Sequence, residues 1–144
     1  MLALGRTHIL PLFPAPMKRN QFMMLTAFVA WLFGLVMMMA PDKMLGGLGV
    51  APGDIPNYLL QLIGVHLFAT GWINFLARND TGSALRGVMI ANILLHVLSF
   101  AFDFIGYGKG LIVVTGVVMG AIVHIGLIAG FAYYLIKWPK QSAA

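Results

Sequence analysis

Four apolar runs of about twenty residues each constrain this chain more than any other feature of it. Crossing the hydrocarbon of a bilayer takes roughly 20 mostly apolar residues at about 1.5 Å of helical rise each. The stretches 22–40, 57–77, 83–105 and 111–136 all meet that length. The expected fold is therefore all-α: a polytopic membrane protein built as a four-transmembrane-helix bundle. Composition agrees, because 60% of the residues are hydrophobic and only 9% charged. A soluble domain needs roughly a quarter of its residues charged, so lipid must act as solvent over most of the surface.

The linkers carry turn chemistry. Residues 41–56 hold four Gly, three Pro and three charges and read as a loop after a first span closed by Pro41. Residues 106–110 alternate Gly with Tyr107 and Lys109 and read as a tight turn. Asp80-Thr81-Gly82-Ser83 reads as a short turn with Ser83 as helix N-cap. The expected organisation is an interfacial arm over 1–20, a membrane domain over 21–138 and a short tail over 139–144. A cleaved signal peptide is the competing reading of the first residues. It is disfavoured because the run after Lys18-Arg19 is too long for a signal core and no small-x-small site follows it cleanly.

Charge sets orientation. With the N-terminus inside, Arg6, Lys18, Arg19, Arg78, Arg86, Lys137 and Lys140 fall on the cytoplasmic side, and only Lys43 and Lys109 on the other. That asymmetry follows the positive-inside pattern, and Trp138, Tyr134, Tyr58 and Tyr107 fall near the two interfaces. The expected location is a bacterial inner membrane with both termini in the cytoplasm. The net charge of +5 is spread over span ends rather than gathered in a patch, so no nucleic-acid partner is expected.

Several chemistries drop out. Cysteine is absent, which removes thiolate nucleophiles and thiolate metal sites. Glutamate is absent too, and the acids are Asp42, Asp54, Asp80 and Asp103. Paired Glu ligands of a di-iron bundle are thus missing, and a two-carboxylate hydrolase is not expected. No nucleophile–base pair is evident, so an enzyme is the weaker reading. Met37-Met38-Met39 cannot share one helix face and makes no copper box.

Polar groups within the spans are costly and therefore informative. The third span carries Asn92, His96, Ser99 and Asp103, spaced four, three and four apart, within a sector of about 60° at 100° per residue. The second span carries His66, Thr70 and Asn74 in a second stripe, and Trp72 points away from it. The fourth carries His124 beneath Gly116 and Gly120, a small-x-x-x-small surface for close helix contact, with Gly126 and Gly130 on another face. The first has little beyond Thr26 and reads as a wall facing lipid or another subunit.

His66 and His96 each lie roughly 14 Å below the outer span ends, with His124 slightly deeper. They are expected to face each other near the bilayer midplane. Three readings stay open. The stripes can be a hydrogen-bonded seam between helices. His66, His96 and His124 can be axial ligands of a haem or a (bacterio)chlorophyll-type pigment. The third-span stripe can be a proton or ion path. Asp103, within a turn of the outer end, is expected to reach water and pair with Lys109.

The first span closed by Pro41, the Gly-rich loop, and the ending Trp72-Ile73-Asn74-Phe75-Leu76-Ala77-Arg78 resemble small bacterial four-helix integral membrane proteins over residues 20–137. This chain departs from them in its N-terminal extension and its intramembrane histidines. Such a resemblance implies no particular activity. The expected function is a non-catalytic membrane subunit that packs into a larger complex or with copies of itself and holds a pigment or haem. The alternative is a small oligomeric transporter or channel. It is weakened by the lack of a detectable inverted repeat.

Overall fold

The computed structural model describes residues 17–138; residues 1–16 of the expected arm over 1–20 and the tail over 139–144 lie outside the described residues, while Arg19 and Asn20 already belong to the first helix. Among the described residues five helices run in order: α1 (Arg19–Met39), α2 (Pro41–Gly47), α3 (Asp54–Ala77), α4 (Ser83–Gly108) and α5 (Val114–Ile136). All but α2 are long and apolar enough to span a membrane. The protein is all-α and multi-pass.

The helix ends follow from local chemistry, and two differ from expectation. Residues 41–56 are not simply a loop. Pro41 closes α1 and also opens α2, where its missing N–H costs nothing and its fixed φ suits a first helical residue. Its ring pushes Ala40 out of the helical region, to φ −141° and ψ 53°. At the α3–α4 turn, Ser83 is the first residue of α4 rather than its cap. Asp80 braces the turn ahead of the helix: its Oδ1 accepts from the Thr81 N–H at 2.6 Å and the Gly82 N–H at 2.9 Å. Those bonds, Gly82 first and Thr81 second, pull the exposed Asp80 carboxyl below its ordinary 3.8. Gly49 at φ +75° and Gly110 at φ +68° end α2 and α4 in the left-handed region that glycine enters without penalty.

The helices pack as two pairs. In the first, α1 lies along α3. Gly34 and Gly64 meet back to back, and a Cβ on either would sit 2.8 Å from the other's carbonyl oxygen. One turn pair further along, Gly71 makes room for Trp31, whose ring packs on Trp72 at 5.0 Å and Phe75 at 5.4 Å. The first span is thus no passive wall. Phe22, Met23, Thr26, Ala27, Ala30 and Gly34 are all buried on it. Apolar residues look alike whether they meet lipid or protein, and the partner glycines decide which side packs.

In the second pair α4 lies along α5. The two pairs touch sparsely, at three levels. At the end formed by the start of α1 and the end of α5, Phe22, Met23, Leu85, Met89 and Phe131 form a buried cluster, with Phe22 edge-on to Phe131 at 5.0 Å. Arg19 reinforces this end, donating to the Asp80 carbonyl at 2.9 Å while lying over Trp138. Above the cluster, Asn74 of α3 and Asn92 of α4 exchange amide hydrogen bonds of 2.9 and 3.2 Å. At the far end the Val113 N–H donates to the Leu48 carbonyl at 3.0 Å, tying the two linkers. Between the last two ties the pairs stand apart.

Candidate functional site

The gap between the pairs is a cavity of about 240 Å³. Its walls are apolar, with Phe33 and Met37 from α1, Leu67 from α3, Leu95 from α4, and Met119 and Val123 from α5. One file of polar groups enters it along α4. Leu85, Met89, Asn92, His96 and Asp103 share one face at heptad-like spacing, so the file begins in the apolar cluster and climbs toward the far end. Asn92 to Asp103 spans about 17 Å at 1.5 Å per residue.

Two of the three candidate histidines meet. His96 Nδ1 lies 3.1 Å from His124 Nδ1, with the ring centroids 5.3 Å apart. For these atoms to bond, one nitrogen must carry the hydrogen and the other must be bare. On the other side of the second ring, His124 Nε2 stands 3.6 Å from Asp103 Oδ2. That is ion-pair range but beyond a hydrogen bond. The three side chains form a line, carboxylate to imidazole to imidazole. Asp103 therefore does not pair with Lys109 as the sequence reading expected. It points inward at α5, and its Oδ2 is buried with no hydrogen-bond partner.

His66 does not join them. Leu60, Gly64, Gly71 and Asn74 define the packed face of α3. His66 follows Gly64 by two residues, about 200° round the helix, and is exposed on the opposite side. The expected His66–His96 pairing is replaced by His96–His124, because matched depth says nothing about which way a helix is turned. His66 Nδ1 donates to the Leu62 carbonyl at 2.7 Å, which leaves Nε2 of this exposed side chain free.

The remaining candidates divide between structure and cavity. Thr70 lines the cavity but spends its hydroxyl on the His66 carbonyl at 2.9 Å. Thr26 does the same toward Met23. Asn74 and Asn92 hold each other, and Asn92 also donates to the Val88 carbonyl at 2.8 Å. Ser99 is half-buried and is not a lining residue. Among the glycines, Gly120 lies against the Asp103 carboxylate, Gly116 against Leu48 and Gly130 against the Phe22 ring. Gly126 meets no heavy atom within 4 Å. Hydropathy and polar spacing do not single out the α1 lining or the glycines of α3. The seven-residue step from Gly64 to Gly71, which keeps one helix face, is the signal that points to them.

A tetrapyrrole between His96 and His124 does not fit. Two imidazoles bound across one metal, each at roughly 2.0–2.1 Å, stand about 4 Å apart. Here the nitrogens are 3.1 Å apart and bonded to each other. Among the described residues no group of three or more His, Cys, Asp or Glu can hold a metal ion. His66 has the donor arrangement of a single axial ligand, one nitrogen tied to a carbonyl and the other free. What the interior can do is bind a small, largely apolar molecule and hold a proton beside it. Comparison with protein-family models, with characterised proteins and with solved structures gave no match to this chain.

Proposed function

We propose that this chain is a non-catalytic membrane subunit that packs with other membrane proteins or with copies of itself and holds a small ligand between its two helix pairs. The observation that supports it is the cavity itself, apolar over most of its walls, with its titratable groups gathered in the Asp103–His124–His96 line. Binding sites within bundles commonly have this make-up, a few convergent polar groups in an apolar cleft. The proposed setting is a bacterial inner membrane with both termini cytoplasmic, supported by the Lys and Arg asymmetry and by the resemblance to small bacterial four-helix proteins. The lipid-facing His66 is the position where a pigment or haem would attach, and its Nε2 would be the ligand.

A second reading, a small oligomeric transporter, draws on the same polar line. Within one chain the line ends at the Asn74–Asn92 pair, and Met23, Leu85, Met89 and Phe131 are fully buried beneath it. A path would need the two pairs to rock apart.

Native mass spectrometry of the chain in lipid discs cut from its own membrane tests the first reading. The expected spectrum shows an oligomer or complex carrying a non-covalent small-molecule adduct. Ala30→Phe, which fills the cavity from α1, should remove the adduct. A bare monomer in both spectra would overturn the proposal. A reporter fused after Lys140 should be active in the cytoplasm and one inserted in 42–54 on the opposite side; the reverse result would reject the orientation.

A further inference from the structure

We infer that the ligand of this cavity is a lipophilic ammonium ion, a small apolar body carrying an N–H cation, and that it binds on Asp103 with release of one proton. The inference rests on the proposal that the cavity holds a ligand and names its chemical class.

The polar capacity of the site selects a donor. Thr26 and Thr70 bond their own helices, and Asn74 and Asn92 bond each other. What remains unfilled is an acceptor, the buried Oδ2 of Asp103. Asp103 is the one acid lining the cavity, since Asp42 and Asp54 lie in the first turns of α2 and α3 and Asp80 in the α3–α4 turn. Gly120 lies directly against the carboxylate, and the α5 side chain beside it, His124, stands 3.6 Å away, beyond hydrogen-bond range. A ligand N–H brought there finds an acceptor that the protein has left without a donor.

Charge selects a cation over a neutral donor. A carboxylate within the span needs a compensating positive charge. In the empty site a proton supplies it, held on the Asp103–His124 pair 3.6 Å apart. His96, bonded to His124 at 3.1 Å, extends the group over which that proton is held. These three are the titratable residues of the lining; α1, α2 and α3 bring none to it. An arriving ammonium takes over the neutralising role, and the proton leaves for water. One positive charge enters and one departs, so the site's net charge is conserved.

Volume limits the body. The cavity, about 240 Å³, falls below the roughly 300 Å³ where pockets for drug-sized molecules begin. One aromatic ring on a short arm is the right scale, and Phe33 and the methionines Met37 and Met119 offer it soft apolar contact.

Calorimetric titration of the purified full chain in detergent micelles, with three probes of one shape, tests this. Phenethylamine carries the cation, 2-phenylethanol is its neutral counterpart and 3-phenylpropionate the anion. Phenethylamine should bind about tenfold or more tighter than the alcohol, the gain of a charge-assisted hydrogen bond over a neutral one. The propionate should not bind. Repeating the titration in buffers of different ionisation enthalpy should show about one proton released per amine, a readout on the unaltered chain. Asp103→Asn should bring amine binding down to the level of the alcohol. If amine and alcohol bind equally and no proton is released, the ammonium assignment is wrong while the cavity remains a binding site. If none of the three binds, the cavity reading falls with it.

Discussion

Replacing Gly34 by Ala tests the backbone-to-backbone contact between α1 and α3. The new methyl would lie 2.8 Å from the Gly64 carbonyl oxygen and 2.9 Å from the Phe68 amide nitrogen. Both are α3 backbone, which cannot swing aside as a side chain end can, so the α1–α3 pair must open. Overpacking a well-fitted contact costs about 1–3 kcal/mol. Alanine also favours the helix over glycine by about 0.8–1 kcal/mol, which blurs a comparison with the wild type. Gly126→Ala removes that ambiguity, because Gly126 has open space around it and gains only the helix preference. The difference between the two variants isolates the clash, and about 1–3 kcal/mol corresponds to about 5- to 150-fold in the unfolding equilibrium. Unfolding by sodium dodecyl sulfate in mixed micelles, followed by tryptophan fluorescence, measures it; Trp31 sits in the same seam. Equal stability of Gly34→Ala and Gly126→Ala would refute the back-to-back packing of α1 on α3.

Two further outcomes follow from named contacts. Asn74→Ala and Asn92→Ala should each destabilise the chain, and a double-mutant cycle should give a coupling of about 0.6–1.7 kcal/mol, the range for hydrogen bonds between membrane helices; zero coupling would mean that the amides do not bond across the pairs. For Asp80, the folded carboxyl lies below its ordinary 3.8, so its contribution is present above that value and is lost as pH falls through the folded pKa. Melting curves should show the wild type's advantage over Asp80→Asn held from neutrality down to about that pH and shrinking below it; an advantage that fades well above it would contradict the turn geometry.

Hydropathy alone placed the four spans to within a few residues, because length and apolarity are enough to mark a crossing. The short helix α2 is hidden in the sequence because its Gly46 and Gly47 resemble loop residues, and Pro41 marks a helix stop and a helix start at once. The α4 stripe was legible since Asn92, His96 and Asp103 keep helical spacing. The direction in which α3 turns its stripe was not. Asn74 faces inward and His66 outward, though both belong to one drifting row, and only the Gly64 and Gly71 contacts with α1 decide which side is inside. Depth could be counted along the chain, whereas azimuth depends on neighbours that the count does not see.

The α1–α3 seam also bears on how the protein is made. Every contact of Gly34, Gly64 and Gly71 lies between residues that leave the ribosome before Ser83. The first pair can therefore close in the membrane as a finished hairpin while α4 and α5 are still being synthesised. The second pair would then insert beside a neighbour already packed, to be held at Asn74–Asn92 and the Phe22–Phe131 cluster. In that order of assembly the interior between the pairs is the last space to be enclosed.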